Sequence, residues 1–380
     1  MNEEKIYPIS LSPSYCKDWD VQSALREICQ NMLDSGGGDV DYDESTETLT
    51  ITNYNAQIPS QYLLLGNGSK SDNDRGGFSE GGKIAWLILT RLGHEVSIEN
   101  GNVLWTPYYD HSKLFGCDML HVSETPLDGN SDVRYTITNI DQDTYNEMCS
   151  RCLFLVDDLE IIEETCYGNI LENKDDQGKL YVGGLYVCNT DMDYTYDIKP
   201  QYLKLNRDRQ TPEHYDLKSI VKSIWVQADK KELAADMLFN SSSDAYLFTH
   251  TYENEIPKAV YQKYTEEYGE NIVVADDDDE KQSLIKEGYS NIIVTGKSDF
   301  NDVLRKSKDY QAGIESAKEY VEEYSPDEVL SLFSSQFGDV ISKEELDVLE
   351  NIIELFIDKR VDCGYSNTIT KGEIPFEFDE

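Results

Sequence analysis

The order of two stretches constrains this chain most. The first, ALREICQNMLDS over Ala24 to Ser35, reads as a helix: Ala24, Leu25, Ile28, Met32 and Leu33 give it good helix formers and an apolar side. The second, GNGSKSDNDRGGFSEGGKIAWLILTRLGHEV, is rich in glycine and runs into a strongly apolar helix from Lys83 to Leu92. The helix with the acidic groups comes before the glycines, and no strand leads directly into them. That order excludes a P-loop, which needs G-x-x-x-x-G-K-[ST], and the strand–glycine–helix start of a dinucleotide-binding domain.

Each stretch carries its own chemistry. Glu27, Asn31 and Asp34 fall at i, i+4 and i+7, so they share one helical face. Asn31 can offer an oxygen to Mg2+, Glu27 can orient or deprotonate a water, and Asp34 can brace a cleft. The same stripe also suits the wet face of an ordinary amphipathic helix. In the second stretch, Gly66 and Gly68 form one loose segment and Gly76, Gly77, Gly81 and Gly82 another, with polar residues between them that can form a lid. Free backbone N–H groups at the helix start after Gly82 suit phosphate oxygens. Lys70, Arg75 and Lys83 place positive charge there in an otherwise acidic chain. An ordinary glycine turn before a helix would look alike.

Other elements follow from periodicity. Residues 1–18, with Pro8 and Pro13, read as an irregular arm, and Asp18 or Asp20 can cap the first helix. The run Gly36-Gly37-Gly38 ends that helix. TLTITN alternates like a strand, with Asn53 at its end. HEVSIEN, NVLWTPYY, DMLHVSE and VRYTITNI read as further strands of an antiparallel sheet. Thr136 and Thr138 alternate with Ile137 on the last of these; one of them can reach a cleft, although threonine is common in any strand.

Composition narrows the function classes. The formal charge is −41 over 380 residues, so bare nucleic acid and anionic membranes are disfavoured partners, whereas solubility or a basic protein partner fits. Eight cysteines and five histidines are scattered, and only Cys149 and Cys152 lie close, so no zinc-type set forms and reduced thiols are expected. MNEEKIYPIS is unlike a signal peptide and no run of 18 apolar residues occurs, so a cytoplasmic, non-membrane protein is expected.

Taken together, residues 15–160 resemble the Bergerat-fold ATPases, the superfamily of gyrase B, Hsp90, histidine kinases and MutL. Glu27 and Asn31 match the helical E-x-x-x-N of that family, with Asp34 three residues on. Asn53, in NYNAQIP, stands where the family has the Asp of D-x-G-x-G that reads adenine. GGFSEGGK matches the G-x-x-G-x-G at the end of the lid through Gly76, Ser79 and Gly81, with Ser in place of the middle Gly. Thr136 or Thr138 matches the threonine of a late strand. The resemblance implies an α+β fold whose N-terminal part is a sandwich: a mixed, mainly antiparallel sheet covered by helices.

It also implies ATP and Mg2+ as cofactors. Asn31 would hold the metal, and Glu27 would act as general base or orient the attacking water. Gly76, Gly77, Ser79, Gly81, Gly82 and Lys83 would meet the phosphates, with Lys70 a further contact. Asn53 can accept a hydrogen bond through its amide oxygen but lacks the acceptor-only carboxylate. Ser79 keeps a backbone N–H without the conformational freedom of glycine.

The remainder divides by composition. Residues 1–165 are expected to form the nucleotide-binding domain and 166–255 a transducer-like second domain. Residues 256–310 read as a small α/β element and 311–380 as an acidic helical region with an apolar face at Leu346, Leu349, Ile352, Ile353 and Phe356. In the resemblance, a second domain returns a cation to the γ-phosphate, and Arg207 or Arg209 of NRDR would serve; they can equally tie the two domains together. The aspartates Asp276 to Asp279 read as a solvated turn. Slow ATP hydrolysis driving a lid and a domain or dimer movement is the expected function. A catalytically weak nucleotide-binding scaffold that acts by binding another protein is the alternative, and a homodimer or a protein partner is expected.

Overall fold

A computed structural model describes residues 4–64, 80–129, 131–175, 177–203, 205, 214–250, 255–316, 323–337, 340–345, 347–349, 351–352, 355 and 369–370. The chain divides into two compact units, Met1–Asp229 and Lys230–Glu380. It is an α+β protein, with sheets covered by helices.

The first unit opens with β1 (Lys5–Ile9), where the sequence suggested an irregular arm. β1 lies at one edge of a seven-stranded sheet of order β1-β6-β5-β4-β7-β3-β2. An edge strand tolerates Pro8, because one side of its ladder has no partner to lose. The other strands are β2 (Gly38–Asp43), β3 (Thr48–Asn53), β4 (Val96–Asn100), β5 (Val103–Ser112), β6 (Cys117–Pro126) and β7 (Val133–Ile137). Every pairing is antiparallel, so this sheet is not mixed. Glu124 of β6 anchors the edge, accepting from Lys5 Nζ at 2.9 Å, Tyr7 Oη at 3.2 Å and Trp105 Nε1 at 3.0 Å.

Helices α1 (Val21–Asp34), α2 (Gly81–Leu92) and α3 (Gln142–Arg151) supply the other layer. Asp20 caps α1 by accepting from Ser23 N at 2.8 Å. The helix stops in a Schellman turn: Gly37 N donates to Met32 O at 3.0 Å and Gly36 N to Leu33 O at 3.3 Å, with φ of 103° at Gly36. Ala24, Leu25, Ile28, Cys29 and Met32 of α1 and Ile84 to Leu89 of α2 are buried against Leu49, Ile51, Val96, Ile98, Val133, Tyr135 and Ile137 of the sheet. In β7, Val133, Tyr135 and Ile137 are buried whereas Arg134 is exposed and Thr136 half-buried, the alternation of a sheet packed on one face.

A second sheet of order β11-β10-β12-β9-β8 follows in the same unit. Its strands are β8 (Ile161–Glu164), β9 (Gly168–Leu171), β10 (Lys179–Val182), β11 (Leu185–Asn189) and β12 (Thr195–Ile198). It is mixed, since β10 and β12 run parallel and the other pairs antiparallel. Helix α4 (His214–Gln227) covers it, with Trp225 Nε1 donating to Tyr196 Oη at 2.8 Å. The sheet seats on the first layer through Leu153 N to Gly184 O and Tyr181 Oη to Ser150 O, both 2.8 Å.

The second unit holds α5 (Lys231–Phe239) and α6 (Ile256–Tyr268), then a parallel pair β13 (Val273–Ala275) and β14 (Ile292–Val294) joined by α7 (Asp278–Lys286). The aspartate run is the start of α7. Asp277 caps the helix by accepting from Glu280 N at 2.8 Å, and Arg305 pairs with Asp276 and Glu280.

Candidate functional site

The acidic stripe of α1 faces the N-terminus of α2. Glu27 is 2% exposed, and a Cβ placed on Gly81 would overlap its Oε2. A Cβ on Gly82 would stand 2.5 Å from the Tyr62 hydroxyl and 3.2 Å from Asn31 Nδ2. Both glycines are therefore required by close approach: they let α1 bring a carboxylate and a carboxamide against the first turn of α2. Glu80, the residue before that turn, makes no side-chain capping bond, and the positive end of the helix dipole lies there. Asp34 closes the stripe, half-buried at the last residue of α1.

Asn53 ends β3 opposite Gly38 on one side and Val133 on the other. Its cross-strand row continues to Asn100 of β4, which also pairs with Val133. The Asn53 side chain is 3% exposed, and its Oδ1 has no hydrogen-bond partner among the described residues. An orphaned buried acceptor costs about 1–3 kcal/mol, which a donor entering the site would recover. Asn100 is spent differently: its Oδ1 accepts from Ile58 N at 2.9 Å and its Nδ2 donates to Ile58 O at 2.8 Å, pinning the loop after Asn53.

Lys83 lies in the first turn of α2 with its ammonium turned back on the chain. Nζ donates to Tyr62 O at 2.6 Å and to Leu64 O at 3.2 Å, and sits 4.1 Å from the Tyr62 ring centre. Burial pulls its pKa below the ordinary lysine value, opposed by the Glu80 carboxylate. Lys83 thus ties the short 3-10 turn Ser60–Leu63 to α2, on either side of the glycine-rich segment.

The other expected contacts lie elsewhere. Thr136 pairs with Thr50 and Ser97 on the sheet face opposite Asn53. Thr138 is past the end of β7, its N donating to Glu95 O at 3.0 Å. The β7 residues on the Asn53 face are Val133, Tyr135 and Ile137. Lys70, Gly76, Gly77, Ser79, Arg207 and Arg209 lie outside the described residues. Of the nearby cations, Lys199 donates to Thr165 O and Cys166 O, each at 3.0 Å. Tyr62 and Arg26 are site residues that the sequence did not single out. Tyr62 reads there as part of an apolar run, and the partner of Arg26 is a main-chain carbonyl far along the chain.

The donor set suits a hard cation only in company. Among the described residues no group of three or more His, Cys, Asp or Glu side chains could hold a metal ion. Magnesium commonly takes one or two protein carboxylates and completes its shell with phosphate oxygens and water, and the Asn31 atom nearest Gly82 is Nδ2. Two cavities, of about 190 and 340 Å³, open beside the second sheet, and neither is lined by Glu27, Asn31 or Asn53.

Residues 143–231 match the model of a family described as the Mycoplasma pneumoniae MPN635 N-terminal domain. That span covers nearly all of α3, the second sheet and α4, and leaves out α1, α2 and the seven-stranded sheet. No curated protein matches the chain. No described helix is long and apolar enough to cross a membrane.

Proposed function

We propose that the first unit binds ATP with Mg2+ between α1, the end of β3 and the start of α2, and hydrolyses it slowly. One observation carries this reading. A buried carboxylate and a carboxamide of α1 meet the first turn of α2, whose glycines have no room for a side chain, and an orphaned amide oxygen ends β3, a strand that packs on α1. Asn31 would hold Mg2+, which would neutralise phosphate charge when bound. Glu27, held against Gly81, orients a water and takes its proton. The N–H groups at the start of α2 receive phosphate oxygen. Asn53 Oδ1 accepts from the purine edge. Turnover of this kind serves a movement of the chain or of a dimer, in the cytoplasm.

A weaker enzyme, acting as a nucleotide-dependent scaffold for another protein, is favoured by one observation: the Lys83 ammonium is engaged with two carbonyls. Glu27→Gln separates the readings. Loss of a general base lowers turnover by about 10²–10⁴-fold with nucleotide binding retained. Turnover equal to wild type in Glu27→Gln would remove Glu27 from the chemistry.

A further inference from the structure

We infer that Arg26 is a positioning residue for Glu27, holding the carboxylate in register with the second sheet; the inference rests on the nucleotide reading above. Arg26 precedes Glu27 in α1, and its side chain is 14% exposed beside a Glu27 side chain at 2%. Two contacts of its guanidinium bear on Glu27. Nε donates to Tyr186 O in β11 at 3.0 Å, while the terminal nitrogen NH1 stands 3.5 Å from Glu27 Oε1. The first is a hydrogen bond of ordinary length. The second exceeds the usual N–H···O range but remains within ion-pair reach. The cation therefore sets positive charge beside the buried carboxylate.

The Tyr186 carbonyl is a fixed post. β11 pairs with β10, with Tyr186 opposite Tyr181, and the two rings meet edge-on at 5.8 Å. The Tyr186 hydroxyl donates to Asn189 Oδ1 at 2.9 Å, and the Arg151 guanidinium lies 5.2 Å from its ring. Residue 184, two positions earlier, accepts from Leu153 N at 2.8 Å. Arginine alone can span post and carboxylate, because its donors diverge from one rigid plane, whereas lysine offers a single point charge. A displacement of β11 moves the guanidinium and with it the setting of Glu27. The second sheet thereby acquires a direct hold on the hydrolytic residue.

The test uses the full chain as Arg26→Gln and Arg26→Lys, with ATP and Mg2+ as probes. Arg26→Gln is expected to keep Kd and KM for ATP within threefold of wild type and to lower kcat at least tenfold. Arg26→Lys, which restores charge but not the fork, is expected to recover less than a third of the lost kcat. In both variants amide exchange across Leu185–Asn189 is expected to quicken at least tenfold, a readout that needs no turnover. Wild-type kcat in either variant, or unchanged exchange in β11, overturns the inference. A wild-type protein that binds no nucleotide overturns the underlying reading instead, and the exchange result then stands as a purely structural contact.

Discussion

Gly81→Ala gives a test in which the sign of the effect decides. Replacing glycine by alanine in an open helical position stabilises by about 0.5–1 kcal/mol, through backbone entropy and propensity. At Gly81 the added methyl would overlap Glu27 Oε2, and Glu27 is 2% exposed and cannot swing into water. Overpacking of this kind costs about 1–3 kcal/mol, so the net effect is a loss of up to about 2 kcal/mol. Truncating Glu27 removes the obstacle. In the Glu27→Ala background, Gly81→Ala should turn neutral or stabilising, giving a coupling of about 1–3 kcal/mol between the two sites. Urea unfolding followed by tryptophan fluorescence measures this directly, because all four tryptophans, Trp19, Trp86, Trp105 and Trp225, lie in the first unit. A Gly81→Ala protein more stable than wild type, or additive effects in the double variant, would refute the placement of Glu27 against α2.

Three further outcomes are expected. Asn53→Ala removes an orphaned acceptor rather than a made hydrogen bond, so it should cost little stability while weakening ATP at least about tenfold, the scale of one buried polar contact; calorimetry and urea unfolding report the two effects separately. Burial of Glu124 works against its charge, but bonds from Trp105, Lys5 and Tyr7 outweigh this and hold its pKa below the ordinary value. The stability it confers is therefore complete above the unfolded carboxylate pKa of about 4.3 and is lost as pH falls through the lower folded value. Amide exchange in β1 should quicken over that acid window, and Glu124→Gln should abolish the pH dependence. The Cys29 thiol is pushed well up by its hydrogen bond with Cys152 and by burial, whereas Cys117 and Cys166 are exposed. Among the cysteines of the described residues, alkylation of the native chain followed by mass mapping should mark Cys117 and Cys166 first, with Cys29 and Cys152 protected until unfolding.

The first helix was legible because its signals are local. Asp20 as cap, the apolar side from Ala24 to Met32 and the Gly36-Gly37 stop all fall within one short stretch, and each has the expected role. The alternation of β3 to β7 was legible for the same reason. β1 was not, since five residues containing a proline become a strand only through partners on β6 more than a hundred positions away. Period-two alternation shows that Thr136 and Ile137 face opposite ways but not which face carries the helices, so Thr136 could be placed only by the fold. Lys83 looked free for phosphate because the carbonyls it meets, at Tyr62 and Leu64, carry no signal of their own in the sequence. The Arg26 bond to Tyr186 O spans 160 positions and is hidden for the same reason.

On the reading proposed above, a nucleotide with its metal binds where Glu27 and Asn31 of α1 meet the start of α2. Calorimetric titration of the whole chain with ATP, with and without Mg2+, tests it most directly, repeated with Asn31→Ala. Saturable binding that Mg2+ strengthens, and that Asn31→Ala uncouples from Mg2+, is the expected result. No heat of binding at about 1 mM ATP, where even a contact of about 4 kcal/mol registers, would contradict it.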